Sequence, residues 1–244
     1  MAGHSKWANI KHRKGAQDAK RAKVFTRVVR EIAVAAKEGG GDPDSNPRLR
    51  TAILAARSVN LPKDKIERAI KKGTGGLDGA NYESVVYEGY GPAGVAIYLE
   101  LLTDNRNRTA GEIRNLFSKH GGELGAPNSV AWMFDRKGLI LVPEAATEED
   151  SLMEVAIEAG ADDIQNVDQH FEITTTPEAF AAVRDALEKG GIEMASAEVV
   201  MIPQNTVIVE GKKAETVMRM LEVLDDHDDV QRLSANCEIR GLEE

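Results

Sequence analysis

Between residues 138 and 202 the chain alternates strand and helix periods in an order that few folds accept. Residues 138–143 read as an apolar strand, and 147–159 as a helix with Leu152, Val155, Ala156 and Ala159 on one face. Residues 163–167 and 171–175 read as hairpin strands. A second helix spans 177–189 and stops at Gly190-Gly191, and a last strand spans 193–202. Strand–helix–strand–strand–helix–strand is the split arrangement of a ferredoxin-like unit.

A second copy of that order encloses the first. Residues 94–102 predict a strand, and Thr109-Ala110-Gly111-Glu112 a capping box that opens a helix burying Ile113, Leu116 and Phe117. Gly121-Gly122 ends that helix, and strands are expected around 123–124 and 130–134. The closing helix, 214–224, and closing strand, 230–239, come only after the first copy is complete. The expected boundaries are therefore 136–203 for an inserted ferredoxin-like domain and 81–135 plus 204–244 for a discontinuous one.

Ahead of them lies a helical block. Val24, Phe25, Val28, Val29, Ile32 and Ala36 form one amphipathic stripe, and Leu49, Ala52, Ile53, Ala56 and Val59 another. Asn46-Pro47 is a cap followed by proline at the first helical position. Pro62 restarts a third helix through Ile66, Ala69 and Ile70, and residues 73–79, rich in glycine, read as a linker. Three short helices covering one another's stripes make a small bundle over 24–80. The fold class is thus α+β: an N-terminal helical bundle followed by two ferredoxin-like α/β units, one inserted in the other.

Charge divides along the same line. Up to Lys72 there are 18 Lys and Arg against 7 Asp and Glu; beyond it there are 13 against 33. A basic head on an acidic body points to polyanion contact through the head, with the body repelled by phosphate. Residues 1–23 form a basic arm. Over residues 8–23 the helical projection is polar on every side, so the arm has no face to bury and is expected to order on a phosphate surface. The candidate nucleic-acid-binding residues are Lys6, Trp7, Lys11, His12, Arg13, Lys14, Lys20, Arg21, Lys23, Arg27 and Arg30. Trp7 either stacks on an unpaired base or anchors the arm to the body. Arg106 and Arg108 are candidates for a secondary contact, and their alternative is an ion pair with the acidic body.

Other motifs carry less. Gly89-Tyr90-Gly91-Pro92-Ala93-Gly94 matches a dinucleotide-binding pattern, but it leads into a strand where pyrophosphate binding needs a helix N-terminus. A loop between two strands is the better reading. Asp42-Pro43-Asp44-Ser45-Asn46 begins like a calcium loop, yet Pro47 and Ile53 stand where glycine and glutamate are required. Residues 225–229, with four aspartates around His227, read as a solvated helix end. No metal site, cofactor or small-molecule substrate is evident, and no nucleophile has a nearby base, so the chain reads as a non-enzyme. Cys237 is the single cysteine and reads as a small buried strand residue in a reducing compartment. With no secretory h-region and no apolar run near ~20 residues, a cytoplasmic location off the membrane is expected.

Taken together, several stretches resemble the YebC/PmpR family. They are Met1-Ala2-Gly3-His4-Ser5-Lys6-Trp7-Ala8-Asn9-Ile10, Gly40-Gly41-Asp42-Pro43, Asn46-Pro47-Arg48-Leu49-Arg50 and Tyr87-Glu88-Gly89-Tyr90-Gly91-Pro92. Thr103-Asp104-Asn105-Arg106-Asn107-Arg108-Thr109, Gly121-Gly122 and Asp228-Asp229-Val230-Gln231 complete the set. The resemblance implies three domains and a bacterial cytosolic protein, usually described as a DNA-binding transcriptional regulator. A mitochondrial relative, the translational activator of cytochrome c oxidase I, acts on protein synthesis, and bacterial relatives have been linked to ribosomes stalled at consecutive prolines. The family's basic N-terminal positions carry over to Lys6, Lys11, Arg13, Lys14, Lys20, Arg21 and Lys23; no catalytic residue carries over.

The residues themselves favour backbone contact, because an arm charged on all sides suits phosphate better than base edges. Expected partners are nucleic acid, as DNA or ribosomal RNA, and through the latter the ribosome. A protein-interaction scaffold is the reading from another class.

Overall fold

The computed structural model describes residues 17–76, 82–167 and 169–240, and among these described residues three helices precede the first strand. Helix α1 (Gln17–Gly39) runs without a break across the position where the sequence separates arm from bundle. Alternating Ala, Lys, Arg and Gln around residues 17–23 are strong helix formers, so a helix nucleated on the apolar stripe propagates backward through them. Helices α2 (Pro47–Ser58) and α3 (Lys63–Gly73) follow. Asn46, 4% exposed, caps α2: its Oδ1 accepts from the Leu49 amide at 3.0 Å. Its Nδ2 donates to the carbonyls of Ala35 and Gly40, tying α2 to the end of α1. Ile32, Ala35, Leu49, Ile53, Ala56 and Ile66 meet in the core of this head.

The inserted unit has the expected order. Strands β4 (Phe134–Pro143), β5 (Asp163–Val167), β6 (His170–Thr175) and β7 (Ser196–Pro203) make an antiparallel sheet ordered β5-β6-β4-β7. Helices α5 (Glu149–Glu158) and α6 (Phe180–Lys189) bury Leu152, Ala156, Val183 and Leu187 against Ile140, Phe171 and Ile173.

The enclosing unit reaches the same spatial order by another route. Its sheet is β3-β1-β2-β9, from β3 (Glu123–Leu124), β1 (Glu83–Tyr90), β2 (Ala96–Thr103) and β9 (Val230–Ala235). The third place, expected from residues 130–134, is taken by β1, which precedes β2 in the chain. Residues 131–133 instead form a short 3-10 turn, and Phe134 opens β4. The residues after β3 are turned away because the buried Glu88 carboxylate accepts from the amides of Asn128, Val130 and Ala131 at 2.7–2.8 Å. The expected closing strand divides in two. β9 pairs with β2, while β10 (Cys237–Arg240) pairs in parallel with β8 (Val207–Glu210).

Helices α4 (Arg106–Lys119) and α7 (Gly211–Asp225) pack side by side on this sheet, sharing a core with Ile97, Leu99, Ile113, Phe117, Val217 and Leu221. The glycine-rich motif lies in the β1–β2 connection as a strand-to-strand loop, in which the Gly91 amide donates to the Val95 carbonyl and the Gly91 carbonyl accepts from the Gly94 amide. A methyl group on Gly89 would meet the Glu123 carbonyl oxygen at 2.4 Å, so this glycine serves strand contact. No helix among the described residues is long and apolar enough to cross a membrane.

Candidate nucleic-acid interface

Lys23, Arg27 and Arg30 follow one another at helical spacing and so share one face of α1. That face meets the end of α7 and the turn into β9. Lys23 Nζ lies 3.1 Å from Asp226 Oδ1. Arg27 donates to the main-chain oxygen of Asp225 and lies 3.5 Å from its carboxylate. Arg30 donates to the Asp228 carbonyl at 2.6 Å and to Asp229 Oδ1 at 2.9 Å. The carbonyl end of a helix favours cations, so α7 adds its dipole to the four aspartates.

Asp229 is the centre of the arrangement. Its second oxygen accepts from Thr109 Oγ1 at 2.7 Å and Arg108 Nη2 at 2.9 Å. Burial pushes this carboxyl upward, but the bonds from Thr109 and Arg108 and the charges of Arg30 and Arg108 outweigh it, and the net shift is downward. The Arg108 guanidinium is correspondingly raised, first by its bond to Asp229. Residues 225–229 are thus a clasp for the head, not the solvated helix end that their composition suggests. His227 belongs to it as well: Nε2 faces Glu112 Oε2 at 3.0 Å and Nδ1 accepts from the Asp229 amide at 3.2 Å. Glu112, His227 and Asp229 bring potential ligand atoms within 4.8 Å of one another. Two guanidiniums on Asp229 oppose a metal ion there.

The predicted residues therefore divide. Lys6, Trp7, Lys11, His12, Arg13 and Lys14 lie outside the described residues. Lys20 and Arg21 lie on α1, and their side chains are outside the description. Lys23, Arg27 and Arg30 are held by aspartates. Arg106 sits 3.7 Å from Glu83, and Arg108 bridges Asp104, Glu112 and Asp229, so both make the ion pairs that were their alternative.

The head carries further exposed cations that the motif reading passed over: Arg50 and Arg57 on α2, and Lys65, Arg68 and Lys71 on α3. Lys65 stands over the Phe25 ring at 5.7 Å, and Lys72 and Arg30 over Tyr82 at 5.3 and 5.2 Å. With Val29, Ala33 and Leu61 they line a groove with an apolar floor and cationic walls. The signal was present in the count to Lys72, half of whose cations lie beyond Arg30.

The chain matches two family models, described as the TACO1/YebC protein N-terminal domain, over residues 5–76, and the TACO1/YebC second and third domain, over residues 82–237. A protein of Desulfatibacillum aliphaticivorans named "Probable transcriptional regulatory protein" is 57% identical over 239 residues, 98% of this chain and 97% of that one. A protein of Geotalea uraniireducens with the same name is 55% identical over 239 residues, covering 98% of this chain and 96% of its own. The crystal structure of a conserved hypothetical protein from Aquifex aeolicus superposes with a TM-score of 0.85 at 46% identity, covering 93% of this chain and 95% of that one. With both models together spanning nearly its whole length, the chain belongs to the TACO1/YebC family.

Proposed function

We propose that this chain is a non-enzymatic, cytoplasmic regulator of gene expression that binds nucleic acid through its basic arm and head. The observation that carries the reading is the segregation of charge: 18 cations against 7 acids up to Lys72, and 13 against 33 beyond it. The names of its relatives, probable transcriptional regulatory proteins, support DNA as the polymer and transcription as the process. In this reading Lys6, Lys11, Arg13, Lys14, Lys20 and Arg21 contact phosphate, and Trp7 anchors the arm or, where a base is unpaired, stacks on it.

A second reading, RNA or a ribosomal surface with an effect on stalled translation, is favoured by one feature of the head. Lys23, Arg27 and Arg30 anchor α1 to the acidic body, so the described part of this helix is committed before any nucleic acid arrives. A helix so held is poorly placed to enter a major groove, and contact falls to the arm ahead of it. Crosslinking in cells followed by sequencing of the bound nucleic acid separates the two. Promoter DNA supports transcription, and ribosomal RNA supports translation. Recovery of neither polymer above background overturns the nucleic-acid reading in favour of a protein-interaction scaffold.

A further inference from the structure

The acidic total of the body conceals a local reversal. Of its 13 Lys and Arg, seven lie on α4 and α7, and those two helices carry only four of its 33 acids. Arg106 and Arg108, at the end nearest the head, are engaged by carboxylates. The other five, Arg114, Lys119, Lys212, Lys213 and Arg219, are exposed and make no ion pair among the described residues.

The fold brings Lys119 and Arg219 together for local reasons. Helices α4 and α7 lie antiparallel, since Arg108 meets Asp229 at one end while Lys119 and His120 meet Thr216 and Arg219 along a groove at the other. Gly121 turns the chain with φ +75° directly after α4. A methyl group on Gly122 would stand 2.6 Å from the Tyr90 carbonyl and 2.8 Å from Met220 Cε, so only glycine lets this turn close onto α7. Lys212, Thr216 and Arg219 recur on one face of α7, and Lys212 and Arg219 are two turns apart, about 10 Å. The groove holds one acid, Glu215.

We infer that the α4–α7 face is a second contact surface for a nucleic-acid backbone, with Lys119, Lys212 and Arg219 as its phosphate contacts. The inference rests on the nucleic-acid reading above and extends it to a body whose net charge argues against contact. Cations without carboxylate partners, gathered on two helices of an otherwise acidic unit, are complementary to a polyanion. The head docks at the opposite end of the same two helices, so a strand leaving the head has a basic path along them.

The test uses full-length protein titrated with a labelled duplex DNA and an RNA hairpin of about 20 pairs across a range of salt. The triple variant Lys119→Ala/Lys212→Ala/Arg219→Ala is compared with Lys137→Ala/Lys189→Ala/Arg240→Ala, a control with the same change of charge elsewhere on the body. Circular dichroism confirms that both are folded. Removing three phosphate contacts lowers the slope of log affinity against log salt by about 2–3, and the control leaves it unchanged. Equal losses in both triples would mean that only net charge matters, which overturns the inference. An unchanged slope in the first triple, with wild-type binding intact, also overturns it and leaves the basic-arm reading standing. Wild-type protein that binds neither polymer defeats the nucleic-acid reading itself.

Discussion

Arg30 and Asp229, 199 residues apart, meet at 2.9 Å across the junction of the helical head and the enclosing α/β unit. Neither side chain is well solvated, at 15% and 3% exposed. Because Asp229 also takes Arg108 and Thr109, one carboxylate couples the docking of the head to the start of α4.

That coupling makes Asp229 the costliest residue of the clasp to remove. Asp229→Ala leaves two guanidiniums and a hydroxyl without their acceptor and is expected to cost about 3 kcal/mol. Asp226→Ala removes a carboxylate that is 72% exposed and is expected to cost less than about 1 kcal/mol. Urea unfolding of the two variants measures the difference, and equal losses would refute the central role of Asp229.

The same residue imposes a pH dependence of known sign. Its folded value is depressed, so folding favours the ionised form. The contribution is complete above the unfolded value of about 3.9 and is lost as pH falls through the lower folded value. Asp229→Asn should therefore flatten the acid limb of stability below about pH 4 relative to wild type. An acid limb of unchanged steepness would show that other carboxylates carry it.

Glu88 holds the loop that presents Trp132, which is 68% exposed. Glu88→Gln replaces one acceptor oxygen by a donor facing backbone amides and weakens charge-assisted bonds, at a cost of about 2 kcal/mol. Amide exchange over residues 125–133 should accelerate while exchange in the inserted sheet stays at the wild-type rate. Uniform acceleration would mean global destabilisation instead of local release.

Cys237, 3% exposed on β10, has its thiol pushed up by burial to about 11. At pH 8 it should resist a water-soluble thiol reagent in native protein and react fully once the chain is unfolded. Rapid labelling of native protein would place β10 outside the closed sheet pair.

Arm residues are tested by their pattern across polymers. If Trp7 stacks on an unpaired base, Trp7→Ala costs about 1–3 kcal/mol with looped or single-stranded RNA and much less with duplex DNA. Lys11→Ala and Arg13→Ala should weaken both alike, since phosphate contacts carry no direct sequence information. Equal losses for Trp7→Ala on both polymers would make it an anchor of the arm and leave the RNA reading without its support from Trp7.

What the sequence determined by itself is everything written in short-range periods. The stripe from Val24 to Ala36, the Asn46 cap, the restart after Pro62 and the whole inserted order from β4 to β7 follow from neighbours a few residues apart. So does the rejection of the glycine motif, because the residues after Gly94 are a continuous apolar run that reads as a strand. Tertiary structure decided the rest. Strand β1 takes the third place in the enclosing sheet because Glu88, on that strand, draws the amides of residues 128, 130 and 131 away from it. The four aspartates before β9 read as solvent-facing charge until α1 sets Lys23, Arg27 and Arg30 against them. The free cations on α4 and α7 vanish into a total of −20 until two helices, some hundred residues apart, lie side by side. Strand neighbours and charge partners so distant in the chain leave no local period to read; packing alone selects them.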